Sequence, residues 1–212
     1  MYKLIARSIG LLIIVSSSMV VHATDSKMGF FITSKGPGNG ADLGGLQGAD
    51  RHCQQLASAV GRGGRTWHAY LSTINADGVA GENARDRIGP GPWYNVNGVK
   101  VANDVADLHS NNNQLSKENS RTELGDMVNG RGDKPNMHDV LTGSNLDGTA
   151  GESTCSNWSS HGEGSANVGH HDRTGGGANP TSWNAAHGSR GCSQADLVGT
   201  GGNGLYYCFA ID

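Results

Sequence analysis

Hydrophobic positions in this chain fall in short clusters separated by long polar, glycine-laden stretches. Leu46, Ala49, Cys53, Leu56 and Val60 recur three and four residues apart, the spacing that lines up one stripe of an α-helix. Gly61 follows, the residue that most readily closes a helix with a left-handed cap. The spacing predicts a helix over 46–60 with Cys53 turned to the core. Across 66–72, Trp67, Ala69 and Leu71 alternate with Thr66, His68 and Tyr70, a period of two that suits a strand. Residues 28–34 read as an opening strand ended by a breaker cluster, and 205–211 as a closing one.

Asn97 and Gly98 lie between two runs of β-formers, 93–96 and 99–101, the strongest short-range signal for a hairpin. Residues 103–136 are dominated by Asn, Ser, Asp and Gly, which implies a long surface excursion rather than a second core. A brief strand resumes over 140–142. From 143 to 204, Cys155, Trp158, Trp183 and Cys192 stand as landmarks in a glycine-, serine- and asparagine-rich stretch. No internal repeat or linker divides the chain, so one domain is expected.

Composition narrows this further. The chain has 212 residues, 35% hydrophobic and 17% charged, with 34 glycines. Such a chain favours irregular backbone and excludes a long-helix protein. Residues 1–23 combine Lys3 and Arg7, an apolar stretch over 9–21 and a small residue at Ala23. This is the pattern of a secretory signal cleaved after Ala23, leaving a mature domain over 24–212 that is secreted or periplasmic. The apolar stretch falls short of the about 20 residues a spanning helix needs, and no later segment comes close, so no membrane insertion is expected after cleavage. Loss of Lys3 and Arg7 takes the net charge from −3 to −5, which argues against nucleic acid as a partner.

An even set of cysteines in an exported chain points to disulfides. Four allow three pairings, and sequence alone does not choose among them. Placement favours a nested arrangement: Cys53 with Cys208 would fasten the two chain ends, and Cys155 with Cys192 would tether the loop-rich stretch. A four-thiolate zinc site needs close-spaced cysteine pairs, which are absent.

Residues 45–61, 65–72, 139–148, 154–158, Cys192 and 206–212 together resemble the endostatin-type branch of the C-type lectin-like fold, and bacterial secreted proteins loosely called lectins. The resemblance covers most of the mature chain. It implies an α+β, double-loop domain with paired terminal strands, one or two helices, nested disulfides and a long loop region presenting the binding surface. Calcium-dependent lectins of this fold use triplets rich in carboxylates and amides. Here the corresponding segments are Lys134, Pro135, Asn136 and Trp183, Asn184, Ala185, each lacking a carboxylate, so no calcium site and no cofactor are expected.

Other constellations have bland readings. His170, His171 and Asp172, with His161 and His187 near in sequence, bring together imidazoles that suit zinc. Adjacent side chains in a strand point oppositely, however, so a hydrogen-bonded loop network is expected and no metal ligand is assigned. Arg131, Gly132 and Asp133 read as a turn, and Asn111, Asn112 and Asn113 as solvated loop. Neither a nucleophile elbow nor a zinc-protease helix is present, so no catalytic residue is assigned.

The expectation is a non-enzymatic lectin-like module that binds a glycan or another cell-surface ligand, with Asn136, Trp183 and Asn184 as contact residues. An adhesive protein binding a protein partner is the alternative, and a metal-dependent hydrolase built on His170, His171 and Asp172 a third. The oligomeric state is not legible.

Overall fold

The structure, a computed structural model, describes residues 27–212; the expected signal segment lies outside the described residues. The chain is α+β. Its elements in order are β1 (Phe30–Ile32), α1 (Gly45–Ala59), β2 (Trp67–Ala69), α2 (Ala84–Arg87), β3 (Trp93–Tyr94), β4 (Lys100–Ala102), α3 (Val105–Leu108), β5 (Asp139–Leu141), α4 (Cys155–Trp158), β6 (Asn167–His170), β7 (His187–Gly188), α5 (Gln194–Thr200) and β8 (Gly202–Ala210). Among the described residues no helix is long and apolar enough to cross a membrane.

Strand β8 is the axis of a six-stranded sheet ordered β1-β8-β5-β6-β7, with β2 also paired to β8. One edge of β8 takes β1 in antiparallel register, Phe31 opposite Cys208. The other takes β2 antiparallel near the C-terminus, with Ala69 opposite Cys208, and β5 in parallel along its first half. The chain's first and last strands are thus hydrogen-bonded neighbours. A strand flanked on both edges and covered on both faces needs apolar side chains on both, and residues 205–210 are all buried.

Helix α1 crosses this sheet with Ala49, Cys53 and Leu56 buried, while Leu46 and Val60 at its ends are half-buried. Its C-terminus closes as a Schellman motif: Arg62 N donates to Ala57 O at 2.8 Å and Gly61 N to Ser58 O at 3.0 Å. On its polar side, Nη2 of the shielded Arg87 donates to both Asp50 oxygens at 2.8 and 2.7 Å while Nη1 reaches Glu82, and Asp50 also accepts from Ala69 N. This ion pair joins α1, α2 and β2.

The Asn-Gly hairpin is present but short. The Asn95 side chain accepts from Asn97 N and Val99 N, taking the donor that would have extended the ladder, so pairing is limited to β3 and β4. The stretch 103–136 is largely irregular, yet it is more than surface. Leu108, Leu115 and Val128 are buried, and Ile32 N donates to Arg121 O, so this segment covers the free edge of β1. Of the five helical segments only α1 and α5 exceed four residues. The seven-residue α5, capped by Ser193, was not expected from the pattern.

Both nested disulfides are formed: Cys53–Cys208 ties α1 to β8, and Cys155–Cys192 ties α4 to the approach to α5. Segment α4 is a left-handed turn, with φ of 48, 54, 54 and 66° at Cys155, Ser156, Asn157 and Trp158. Each such residue costs about 1–2 kcal/mol for an L-amino acid. The turn is held by its disulfide, by Trp158 Nε1 donating to Ser72 O at 2.8 Å and by Asn157 bonded to the Ile74 backbone.

The two covalent loops differ in what their loss should do. Closures spanning 155 and 37 residues limit the unfolded chain by about 5 and about 4 kcal/mol as upper figures. A Cys155→Ser/Cys192→Ser double variant is expected to lose up to about 4 kcal/mol in a denaturant titration. It should also show faster amide exchange at Trp158 and Leu43, whose backbones are bonded to each other. Unchanged exchange there would show that the turn does not depend on the bridge.

Candidate metal centre

The register of three strands builds the site. Asp139 stands directly opposite His170 across β5 and β6, and His187 opposite Val168 across β6 and β7. Cross-strand partners share a face, and so do positions two apart in one strand. Asp139, His170 and His187 therefore emerge on one side of the sheet. His138, just before β5, turns its ring to lie over His170, with centroids 4.3 Å apart and planes at 15°.

Three donor residues, His138, Asp139 and His170, converge there, and His187 stands beside them. Asp139 Oδ1 lies 3.2 Å from His138 Nε2, 3.3 Å from His170 Nε2 and 3.6 Å from His187 Nε2, while the His170 and His187 Nε2 atoms are 3.0 Å apart. His138, Asp139 and His170 offer atoms all within 4.8 Å of one another. Bonds of about 2.0–2.1 Å to a tetrahedral zinc place neighbouring ligand atoms about 3.3 Å apart, so the spacing fits such an ion. His138, Asp139 and His170 are buried; His187 is the rim residue, its side chain 25% exposed.

The far side of each imidazole is anchored. His170 Nδ1 meets Pro180 O at 2.8 Å, His187 Nδ1 meets Gly188 O at 3.1 Å, and His138 Nδ1 meets Asp172 Oδ1 at 3.4 Å. Carbonyls and carboxylates only accept, so each Nδ1 carries a proton; a neutral ring then presents its Nε2 lone pair to the centre, and a protonated one donates from Nε2 toward Asp139. This is the arrangement by which outer partners aim histidine ligands. Two lone pairs 3.0 Å apart repel unless a cation, either a proton or a metal ion, lies between them. Both Asp139 oxygens are buried without a hydrogen-bond donor, an expensive state for a carboxylate that lacks a cation.

The surrounding charges agree. Burial works against ionised Asp172, yet bonds from His138, Arg131 N and Thr174 N outweigh it and hold the carboxyl well below the usual range. Burial likewise disfavours a charged His170, but Asp139, the Pro180 carbonyl and the nearby carboxylates raise its pKa above the ordinary value. His171 points away: its Nε2 meets Asn129 O at 3.1 Å, and burial pushes its pKa down.

Glycine lets the chain close around these rings. A Cβ on Gly169 would fall 1.7 Å from Trp183 O, so the 182–184 loop can lie against β6 only because no side chain stands there. A Cβ on Gly175, at φ 142°, would fall 2.5 Å from His170 Cε1.

The residues expected to contact ligand have other surroundings. Asn136 is half-buried and accepts from His138 N, shaping the approach to the centre. Trp183 is buried between Tyr70 and Tyr207. Asn184 is buried too: its Nδ2 donates to Tyr70 Oη, Asn145 O and Leu146 O, and its Oδ1 accepts from Ser182 Oγ. Asn113 is buried and internally bonded, unlike its exposed neighbours Asn111 and Asn112. The Asp133 carboxylate is engaged by Lys117 and Gly130 N. His161 lies apart, beside Asp42.

The expectation of no metal ligand came from the divergence of His170 and His171, which the structure contains. What it missed is that His170 meets His138, Asp139 and His187 from other segments. The adjacent pair His138-Asp139 was the available signal.

Gly175→Ala is expected to destabilise the protein by about 1–3 kcal/mol, since the methyl must displace the His170 ring. Gly176→Ala, whose Cβ meets nothing within 4 Å, should stay within about 0.5 kcal/mol of the parent. Thermal melts of the two variants compare them directly; equal melts would show that the cluster yields freely. Compared with known proteins, the chain matches no family model and no curated protein.

Proposed function

We propose that this protein is a secreted, non-enzymatic binding domain of the C-type lectin-like kind, endostatin-type branch, whose ligand-presenting loops are fixed by a buried zinc-class ion. The observation that carries the metal assignment is the buried Asp139 carboxylate, neither oxygen of which meets a well-formed hydrogen bond, with three imidazole Nε2 atoms 3.2, 3.3 and 3.6 Å from its Oδ1. Nitrogen and carboxylate donors at these spacings favour zinc over calcium, which wants six to eight oxygens. The three buried donors His138, Asp139 and His170 would supply part of a tetrahedral shell, with the rim residue His187 beside it.

The paired terminal strands and nested bridges support the lectin-like reading. Two disulfides suit an oxidising compartment. An open groove of about 500 Å³ runs beside His187, lined by Asn145, Leu146, Asp147, Asn167 and Asn179. Its amides and its exposed leucine offer the mixture of paired hydrogen-bonding groups and apolar contact that sugar hydroxyls and ring faces need. An ion held by His138, Asp139 and His170 would act at one remove, joining β5 and β6 beneath the groove beside His187.

The purified protein, stripped and reloaded, is expected to bind one zinc per chain by calorimetry and elemental analysis. Saturation at a hundredfold excess over Kd should add about 2.7 kcal/mol to stability. His170→Ala should abolish stoichiometric binding, while His161→Ala leaves it intact. Failure to bind zinc stoichiometrically, or loss on His161→Ala, would overturn the metal assignment. A glycan array with zinc-loaded protein tests the binding role: glycan signals support it, and silence moves the reading to an adhesive protein with a protein partner.

A further inference from the structure

Arg173 is a charged side chain that the centre does not use. It closes the turn after β6, with its backbone N donating to His170 O at 3.0 Å, and it sits at φ 58°, a left-handed conformation that glycine or asparagine adopts more cheaply. The turn sends Asp172 to His138 and leaves Arg173 facing away from the metal-type cluster. Its guanidinium is half-buried and makes no ion pair among the described residues. Its side-chain bond is from Nη1 to Asn113 Oδ1, at 3.0 Å.

Asn113 is itself immobilised. It is buried, its Nδ2 donates to Leu108 O and Ser110 O, and its Oδ1 also accepts from Leu115 N. One guanidinium edge is therefore fixed, and among the described residues the remaining donors meet no protein acceptor. They border a pocket of about 400 Å³ between His109 to Asn111 on one side and Pro180 to Asn184 on the other, with Leu146 at the rim. Burial lowers the His109 pKa, outweighing the Val105 carbonyl, and its Nε2 meets Tyr70 Oη at 2.7 Å. The pocket thus combines one oriented cation, without an ion-pair partner among the described residues, with a largely polar wall of serine, threonine and asparagine and with Leu146 and Pro180 among its apolar contacts.

We propose that this pocket is an anion subsite in which Arg173 takes the carboxylate of an acidic sugar, a uronic acid or a similar glycan terminus. The inference rests on the glycan-binding reading and names its ligand class. A planar carboxylate matches the guanidinium fork with two parallel bonds, and a partly desolvated arginine gains more from that contact than an exposed one. The pyranose ring would lie toward Pro180 and Leu146, with its hydroxyls near Ser110, Asn111 and Asn179.

The test titrates the zinc-loaded full chain with methyl β-D-glucuronide, methyl β-D-glucoside and acetate, followed by NMR. Glucuronide should bind about tenfold more tightly than glucoside, a difference that Arg173→Gln removes. Arg173→Lys, which keeps the charge and loses the fork, should fall between them and serves if the glutamine variant does not fold. Equal binding of the two glycosides, or undiminished glucuronide binding by either variant, overturns the subsite. If neutral glycans bind while glucuronide shows no preference, the subsite fails and the lectin-like reading stands. If acetate binds in an Arg173-dependent way and no sugar adds affinity, the anion subsite stands and the glycan reading fails.

Discussion

Strand β8 is hydrogen-bonded on both edges, buried along nearly all its length and crosslinked at Cys208 to α1. Phe30, Trp93 and Tyr70 all pack on Phe209, so the strand is also the point where the aromatic core meets. Such contacts add about 0.5–1.5 kcal/mol each beyond the area they bury. Its first half fixes β5, with Asp139 opposite Gly202, and there the absence of a side chain matters, since a Cβ on Gly202 would fall 2.7 Å from Asp139 O. The position of the one carboxylate in the cluster is set by the best-supported strand of the fold.

The chemistry of the cluster follows from where the sulfur is used. All four cysteines are in bridges, so a soft cation in this domain has only nitrogen and oxygen donors to choose from. An oxidising compartment favours that division, because thiolate ligands compete there with disulfide formation. A divalent ion held there by imidazoles and the Asp139 carboxylate would keep a net positive charge. The ionised Asp172, bonded to His138 Nδ1, offsets part of the remainder.

Local patterns were legible and pairings between distant segments were not. The stripe through Cys53, the Gly61 cap, the Asn97-Gly98 turn and the apolar run of β8 each depend on neighbours in sequence, and each is present. The nested bridges were readable because the cysteines sat on elements whose ends had to meet. By contrast, α5 carries one buried leucine among small residues, too faint a periodicity to see. The cluster required knowing that Asp139 faces His170 across β5 and β6, and a one-residue slip in that register would reverse the faces. Trp183 and Asn184 read as loop contacts because their neighbours are polar, and both border the pocket beside Arg173 although they are largely buried. Loop position alone does not reveal that Gly169 lets this loop press against β6, where Asn184 satisfies the carbonyls of 145 and 146.

The region from 143 to 204 has little regular structure of its own, so its shape depends on crosslinks spaced along it. Cys155–Cys192 fastens one side, including the left-handed turn at α4. His170 and His187, drawn toward Asp139, fasten the other, and Asn184 spans the middle with its four bonds. Conformational entropy of about 1–2 kcal/mol per ordered residue works against so long an irregular stretch. A few strong, well-separated ties meet that cost better than many weak ones, because each removes loop freedom over the residues on both sides of it. The chain that carries His170 in the cluster is the same one that aims Arg173 outward, so order imposed at the cluster reaches the pocket through four consecutive residues.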